Sequence, residues 1–321
     1  MHQQPTTTSQ PLGIARVVLQ NLAFQDKVAL AFHSFLLLRV SLAPDSVDKA
    51  MAQRIGLALL TVTFATIVLC RGEVLRPGKL RALVYRVGIF APIPLSYFQL
   101  RVLLPALQPE LLDAQLRAID EALLGITPAL WFNRFNEPPI VEWIAFFYYS
   151  YFYLMAGMLL PALFFDRGRR LREIMLGAMT VAVLGHIIYT LVPGAGPYAA
   201  MEFPEPIHGG FFWQQVLVTV ESAGAQLDIF PSLHTAYPVF FALHAFGWRK
   251  TKPFRFAWPV IAFFAANMVI ATMFLRWHWF IDVVAGLCLA ITARTVAVVV
   301  GGRESSRDDD DDDRQPVWEP L

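Results

Sequence analysis

Two short segments in the last third of the chain carry the side chains best suited to chemistry. The first contains Ser232 and His234, and the second contains Arg276, His278 and Asp282. Each segment lies at the edge of a long apolar stretch, and a charge at the centre of a membrane helix costs about 2.5–3.5 kcal/mol. A chain that keeps two imidazoles, a carboxylate and a guanidinium there is expected to use them. Together they predict a membrane-embedded phosphoryl-transfer site.

The second segment predicts a nucleophile and the groups that support it. His278 and Asp282 are four residues apart, so they share one face of a helix that begins near Trp277. The carboxylate would hold one imidazole nitrogen as a proton donor and leave the other nitrogen free to attack. The guanidinium of Arg276 offers a fork of donors to phosphate oxygens, and the hydroxyl of Thr272 is a further donor.

The first segment predicts the start of a helix. Pro231 suits a first helical turn, because it lacks an amide proton that would have no partner there. Ser232 and the free amides behind it would then bind an anion, and His234 would protonate the leaving oxygen.

A metal site is the alternative use of the same side chains, because His234, His278 and Asp282 are all suitable ligands. Arg276 argues against this alternative, since a cation beside the ligands would repel a metal ion. We therefore expect neither a metal nor another cofactor.

The composition predicts a helical membrane protein. Hydrophobic residues make up 56% of the 321 residues, charged residues make up 16%, and the mean hydropathy is +0.49. The net charge of +1 gives no reason to expect a nucleic-acid partner. About 20 residues span a bilayer, and seven apolar stretches are long enough to cross: 54–70, 83–104, 139–165, 173–193, 232–248, 255–275 and 279–300. Residues 28–43 form either a short first span or a helix in the interface, which gives an all-α bundle of seven or eight spans.

Positive charge predicts the orientation. Three short connections are rich in basic residues, and the positive-inside rule places them in the cytoplasm: Arg71, Arg76, Lys79, Arg81 and Arg86; Arg167, Arg169, Arg170 and Arg172; Arg249, Lys250, Lys252 and Arg255. The C-terminus is then cytoplasmic and the histidine segments are extracytoplasmic. Arginine outnumbers lysine 21 to 5, a bias typical of GC-rich genomes, so we expect a bacterial inner membrane.

The chain divides into three parts. Residues 1–27 are a polar N-terminal segment, residues 28–302 are the membrane catalytic domain, and residues 303–321 carry six consecutive aspartates. Such a block of like charges repels itself, which predicts a disordered acidic tail in the cytoplasm. Within the domain, residues 109–124 and 211–222 are predicted to form helices that rest on the bilayer surface.

These motifs resemble the type-2 phosphatidic acid phosphatase superfamily, which also contains vanadium haloperoxidases and glucose-6-phosphatase. The family's Pro-Ser-Gly-His motif corresponds to residues 231–234, with Leu233 in place of glycine, and its histidine–aspartate motif corresponds to His278 and Asp282. The arginine that usually precedes this histidine by six residues is replaced by Thr272, while Arg276 stands closer. Both departures, and the Pro-x-x-Gly-Pro loop at 193–197, are similar to the branch that contains inositol phosphorylceramide synthase.

The resemblance implies a haloperoxidase-like helical core over about residues 110–300 and a phosphohistidine intermediate on His278. In this family's mechanism Asp282 fixes the imidazole, His234 protonates the leaving group, and the phosphate is held by donors. The usual Lys and Arg of the first motif are missing, so exposed amides at Gly194 and Gly196 are expected to help Arg276, Ser232 and Thr272 bind phosphate.

The implied substrate is a lipid phosphate at the extracytoplasmic face. Water would resolve the intermediate in a phosphatase, and an alcohol acceptor lipid would do so in a head-group phosphotransferase. The sequence leaves both open, together with the oligomeric state. An alternative of another class is a non-catalytic transporter or scaffold that keeps the same fold and its buried charges.

Overall fold

The fold is an α-helical bundle, as the sequence predicts. The structure is a computed structural model that describes residues 13–107, 109–223 and 226–310, and every regular element in these ranges is a helix. The helices are α1 (Ile14–Asn21), α2 (Phe24–Ser41), α3 (Val47–Arg71), α4 (Lys79–Phe90), α5 (Pro92–Ala106), α6 (Asp113–Leu124), α7 (Pro128–Phe132), the 3₁₀ turn η1 (Asn133–Phe135), α8 (Pro138–Tyr149), α9 (Tyr151–Phe165), α10 (Gly168–Tyr189), α11 (Pro197–Ala200), α12 (Phe211–Ala223), α13 (Leu233–Gly247), α14 (Phe254–Phe274) and α15 (Phe280–Asp310).

Six helical segments of the described chain are long and apolar enough to cross a membrane, as expected for an integral membrane protein: Val47–Arg71, Lys79–Ala106, Pro138–Phe165, Gly168–Tyr189, Phe254–Phe274 and Phe280–Asp308. Two of them are interrupted once, between α4 and α5 and between α8 and α9. The count is lower than the predicted seven or eight. The expected span at 232–248 is the 15-residue helix α13, and the ambiguous segment at 28–43 belongs to α2.

The centre of the bundle consists of α10, α13, α14 and α15. Helix α13 packs against the other three, and α10 also packs along α15. Two glycines permit this close packing. A Cβ on Gly177 would lie 2.0 Å from the ring of Phe240, and one on Gly286 would lie 2.5 Å from the carbonyl oxygen of Ser232. Since real Cβ atoms do not approach so closely, these positions bring α13 into direct contact with α10 and α15.

Buried polar contacts hold the end of this bundle that is remote from the histidine segments. Glu173 accepts hydrogen bonds from Arg294 (2.7 Å), Arg169 (2.8 Å) and the indole of Trp248 (3.0 Å). The Arg170 guanidinium also donates to the carbonyl of Lys252 at 3.0 Å. The basic connections 167–172 and 249–255 therefore lie together at one end of the bundle.

Helix α15 continues past the membrane segment to Asp310. Residues 303–310 are therefore helical, whereas the sequence predicted a disordered tail there. The extension is held by contacts with other helices, because Arg172 pairs with Asp308 and hydrogen-bonds Ser305. Arg307 also donates to the carbonyls of Leu22 and Gln20. Residues 311–321 of the predicted tail, and residues 1–12 of the predicted N-terminal segment, lie outside the described residues.

The two predicted surface helices pack against the bundle more closely than expected. On α6 the acidic residues Asp113 and Asp120 are buried, with 8% and 0% exposure. On α12 Trp213 and Val216 are buried in a cluster with side chains of α8. The first turn of α12 is capped by Glu142, which accepts three backbone hydrogen bonds. Both helices therefore help to enclose the region around the histidines.

Candidate active site

The two histidine segments meet at the backbone. The amide of Ser232, at the start of α13, donates to the carbonyl of Asp282 in α15 at 3.0 Å. Before α15 the chain turns sharply at Arg276, whose φ is +66°. The carbonyl of Thr272 accepts the amides of Trp277 (3.0 Å) and His278 (3.1 Å), which stabilises this turn. The fold thus places residues about fifty positions apart in one fixed frame.

His278 and Asp282 contact each other as predicted, although the helix begins later than expected. Helix α15 starts at Phe280, so His278 precedes it and Asp282 reaches back from the first turn. One carboxylate oxygen, Oδ2, accepts the amide of Trp279 at 2.9 Å and lies 3.4 Å from Nδ1 of His278. The second distance is long for a hydrogen bond, and such contacts often shorten when substrate binds. The other oxygen, Oδ1, is buried with no hydrogen-bond partner.

His234 faces the same space from the second position of α13. Its ring stacks on Tyr148, with centroids 4.4 Å apart and an angle of 13° between the planes, and it also contacts Tyr151 at 4.1 Å. The ring centroids of His234 and His278 are 6.0 Å apart. The aromatic contacts fix the direction of the His234 ring, so the two imidazoles are held on either side of a gap of molecular size.

This gap belongs to a cavity of about 910 Å³, within the size range of ligand pockets. Tyrosines and apolar side chains of α5, α8, α9, α12 and α13 form most of its wall. Asp228, from the segment that precedes α13, also lines it, and no lysine or arginine of the described chain does so. The cavity wall is therefore mainly aromatic and apolar, and it includes both histidines and Asp228.

Arg276 does not face this cavity. Its guanidinium donates to Oδ1 of Asn133 at 2.6 Å and to the carbonyl of Glu205 at 3.1 Å, and it lies 3.9 Å from the ring centroid of Phe203. Burial lowers its pKa relative to an ordinary arginine. Arg276 lines a smaller cavity of about 460 Å³, which shares Tyr198 with the larger one. Arg276, which we expected to bind phosphate, thus lies beside the histidine cavity, and its guanidinium is bound by other groups of the protein.

The expected hydroxyl donors also have protein partners. The Ser232 side chain is fully buried and accepts the amide of Thr235 at 3.2 Å, as an N-cap of α13. The hydroxyl of Thr272 donates to the carbonyl of Val269 in its own helix at 2.7 Å. Both side chains therefore stabilise the local backbone in this structure.

The amides of Gly194 and Gly196 are likewise engaged. The Gly194 amide donates to the carbonyl of Leu227 at 3.2 Å, and the Gly196 amide donates to Oδ1 of Asp113 at 2.8 Å. Gly196 has a φ of +79°, and a Cβ there would lie 2.3 Å from the carbonyl oxygen of Trp277. The loop is thus pressed against the second histidine segment, and its amides bind a carboxylate of the protein where we expected phosphate.

The residues that sequence reasoning missed are mainly acidic. Asp113 accepts the indole of Trp279 at 2.9 Å in addition to the loop amides. Asp120 accepts the amides of Phe280 (2.6 Å) and Ile281 (2.9 Å) at the start of α15, and burial raises the pKa of its carboxyl. Asp113 and Asp120 are seven residues apart, which places them on one helical face. The seven-residue spacing of Asp113 and Asp120 was the signal in the sequence that could have identified them. Nothing in the sequence singled out Asp228.

The described residues form no evident metal site. Within the part of the chain that the structure describes, no three side chains of the His, Cys, Asp and Glu types come together as a metal site. His234 and His278 face each other across open space, while Asp282 lies behind His278. The arrangement places one imidazole nitrogen against a carboxylate and leaves the cavity side of both rings open to a substrate.

Comparison with known proteins identifies the family. The PAP2 superfamily matches residues 114–296, which is more than half of the chain and includes both histidine segments. The chain is also similar to an uncharacterized protein of Methanocaldococcus jannaschii, with 28% identity over 148 residues, or 44% of this chain and 56% of that protein. The chain thus spans little more than half the length of this curated relative. No solved structure matches it significantly. On the extent of the family match, the chain belongs to the PAP2 superfamily.

Proposed function

We propose that this protein is a membrane-embedded lipid phosphatase or phosphotransferase that forms a phosphohistidine on His278. The observation that carries the proposal is the pair of imidazoles on one cavity, with ring centroids 6.0 Å apart and Asp282 behind His278. Both rings line the cavity, so a phosphoryl group bound there can reach both imidazoles. One imidazole can then attack phosphorus while the other protonates the opposite oxygen.

In the first step, the free nitrogen of His278 attacks the phosphorus of the lipid phosphate. Asp282 holds the other nitrogen as a proton donor and stabilises the imidazolium that develops. His234, in its protonated form, gives a proton to the departing lipid oxygen. In the second step, a hydroxyl attacks the phosphohistidine and releases His278. Water as the attacking group gives a phosphatase, and an alcohol gives a phosphotransferase.

The negative charge of the phosphate needs stabilisation in the transition state. The charge of a bound phosphate would favour the protonated form of His234, which would then supply one positive charge at the cavity. We propose that Arg276 supplies a second, by exchanging its contact with Asn133 for the phosphate when substrate binds. The two cavities share Tyr198, so the guanidinium would move between adjoining spaces. Ser232 and Thr272 would act through the backbone that they stabilise.

The substrate class is supported by the surroundings of the site. The cavity wall is mainly apolar, and α5, α8 and α9, which form part of it, belong to segments that can cross a membrane, which suits a lipid better than a water-soluble phosphate. The histidines lie at the end of the bundle opposite two of the basic connections. With those connections in the cytoplasm, the reaction takes place at the extracytoplasmic face, and the composition favours the inner membrane of a bacterium.

Within the superfamily, the proposal favours the branch that contains inositol phosphorylceramide synthase. Leu233 in the first histidine segment, the position of Arg276 and the Pro-x-x-Gly-Pro loop at 193–197 are the features that support this branch. Transfer of a head group to an alcohol is therefore the second candidate beside hydrolysis. A transporter or scaffold on this fold would produce neither reaction.

Turnover with a labelled lipid tests the proposal. Purified protein in detergent is given dioleoylphosphatidic acid labelled with ³²P, with and without a candidate alcohol, and the products are separated by thin-layer chromatography. We expect labelled phosphate or a new labelled lipid, and an acid-labile phosphoprotein. His278→Gln should abolish all three while the protein elutes normally from a sizing column. His208→Gln is the matched control, because His208 is exposed on a loop. Activity above a few per cent in His278→Gln would reject His278 as the nucleophile.

A further inference from the structure

Asp228 is a charged group at the catalytic cavity that the proposed reaction does not yet use. It lies between α12 and α13, in a segment that is anchored by a single β-bridge to Gly194. Its carboxylate is half-buried and lines the 910 Å³ cavity together with His234 and His278. The hydroxyl of Tyr97, from α5, donates to Oδ2 of Asp228 at 2.7 Å. The carboxylate is thus fixed in direction at the edge of the reaction space.

This carboxylate has no arginine or lysine beside it in the described part of the chain. No arginine or lysine lines the cavity in the described chain, and no ion pair of the described residues includes Asp228. A partly buried carboxylate without an arginine or lysine partner is costly, and a purely structural role would usually pair it. Burial raises the pKa of the Asp228 carboxyl, while the hydrogen bond from Tyr97 and the charge of His278 act in the opposite direction. A raised pKa suits a group that takes up a proton near neutral pH.

The charge of Asp228 determines what this part of the cavity can hold. A phosphate oxygen would be repelled by the carboxylate, so the phosphate must lie on the histidine side. A neutral hydrogen-bond donor is the favourable partner, and a hydroxyl is the donor that phosphoryl transfer uses. Orientation of His278 does not require Asp228, because Asp282 already contacts that imidazole.

The rest of the cavity suits a hydrocarbon chain. Leu95 and Phe98 of α5 and Phe152 of α9 line it, and these side chains are 46%, 57% and 46% exposed. In a bilayer such side chains face lipid tails. This part of the wall is therefore apolar, which favours a molecule with a hydroxyl at the histidines and a hydrocarbon body against these helices.

We propose that Asp228, held by Tyr97, binds and deprotonates the hydroxyl group of a lipid alcohol that accepts the phosphoryl group from His278. This inference rests on the proposed function and names the acceptor of its second step. It makes the protein a phosphotransferase toward an amphiphilic alcohol, with hydrolysis as the competing reaction.

The acceptor oxygen forms a bond to phosphorus, and the bond between phosphorus and the His278 nitrogen breaks, with its electron pair returning to the imidazole. The hydroxyl proton passes to Asp228. His234, which lost a proton to the first leaving group, regains one from solvent as Asp228 releases its own. The net reaction exchanges one phosphate ester and one alcohol for another phosphate ester and another alcohol.

The test separates the two steps. Wild-type protein and Asp228→Asn are incubated with ³²P-labelled dioleoylphosphatidic acid and 1-dodecanol, an acceptor that differs from the leaving diacylglycerol, and labelled dodecyl phosphate, free phosphate and phosphoprotein are measured. We expect Asp228→Asn to form phosphoprotein as the wild type does and to lose about 10²-fold in transfer, the size of a general-base contribution. Release of phosphate should fall less, because water is small enough to reach the intermediate without Asp228.

Two further variants complete the design. Glu202→Gln makes the same change of charge at an exposed carboxylate that lines neither cavity, and it should keep the wild-type ratio of transfer to hydrolysis. Tyr97→Phe leaves Asp228 in place and removes the hydroxyl that orients it, so it should lower that ratio several-fold. If Asp228→Asn does not fold, the ratio of transfer to hydrolysis in Tyr97→Phe provides the test.

The outcomes distinguish this inference from the proposed function. A wild-type ratio in Asp228→Asn, or in Tyr97→Phe where only that variant folds, would overturn the acceptor site while the phosphohistidine mechanism stands. Loss of phosphoprotein in Asp228→Asn would also overturn it, since Asp228 would then act in the first step. If the wild type forms no phosphoprotein, the proposed function fails and the acceptor site fails with it.

Discussion

The carboxylate of Asp120 on α6 accepts hydrogen bonds from the backbone amide of Phe280 at 2.6 Å, and its second oxygen accepts the amide of Ile281 at 2.9 Å. These are free amides of the first turn of α15, so Asp120 acts as a cap supplied from another helix. Asp113, two turns earlier on α6, binds the indole of Trp279 and the 194–196 loop. Helix α6 therefore holds the segment that presents His278 to the cavity.

The first prediction follows from this contact. Asp120→Ala should lower kcat by about 10²-fold, because a misplacement of about 1 Å at the reacting atoms has a cost of that size. The free energy of unfolding should fall by about 0.5–2 kcal/mol, as for the loss of a helix cap. Turnover of labelled phosphatidic acid and thermal unfolding in detergent measure the two effects.

Glu121→Ala is the matched control for this experiment. Glu121 is the next residue on α6, but its side chain is 46% exposed and pairs with Arg117 on the same helix. Exposed pairs of this kind contribute little to stability, so activity should remain close to wild type. Equal losses in the two variants would show that α6 matters as a whole and that the contact of Asp120 with α15 does not.

A second prediction concerns the support of His278. Asp282→Asn keeps an oxygen that can accept the amide of Trp279, so the start of α15 should remain folded. The neutral amide cannot stabilise an imidazolium, and removal of a comparable aspartate in a protease costs about 10⁴ in rate. We expect kcat to fall by at least about 10²-fold. Wild-type kinetics would mean that the pair of His278 and Asp282 is structural.

The third prediction separates the roles of the two histidines. If His234 is the general acid, His234→Ala should damage the reaction of lipid substrates far more than that of p-nitrophenyl phosphate, whose leaving group needs no proton. Activity with both substrates is measured in the same preparation. The substitution also removes the ring that stacks on Tyr148, so thermal unfolding is recorded in parallel. Equal losses for both substrates would assign His234 to phosphate binding or to nucleophilic attack.

The fourth prediction concerns the side of the membrane. After Cys70 and Cys288 are replaced by serine and alanine, a cysteine at Ala199 should react with an impermeant maleimide in intact cells. One at Thr251 should react only after lysis, because its basic connection is expected to be cytoplasmic. Both positions are exposed, whereas Gly168 has a φ of +58° and tolerates a side chain poorly. The reversed pattern would place the site at the cytoplasmic face.

The sequence alone determined the chemistry-bearing residues and the class of fold. Long apolar stretches predict helices that cross a membrane, because hydropathy is a property of consecutive residues. The contact between His278 and Asp282 was also predictable, since residues four apart on a chain entering a helix lie close together. Boundaries were less predictable. Helix α15 begins at Phe280 and not near Trp277, because the turn at Arg276 and the capping contacts of Asp120 come from tertiary structure.

Only the tertiary structure decided which partners the polar groups have. Arg276 binds Asn133, 143 residues away, and the amide of Gly196 binds Asp113, 83 residues away. No local pattern predicts such pairs, because they depend on how helices distant in sequence pack together. Asp228 illustrates the same limit. It follows an ordinary loop in the sequence, and it gains significance only when α5 brings Tyr97 to it and α13 and α15 bring the two histidines to the same cavity. The chemistry of a buried charge is set by its neighbours in space.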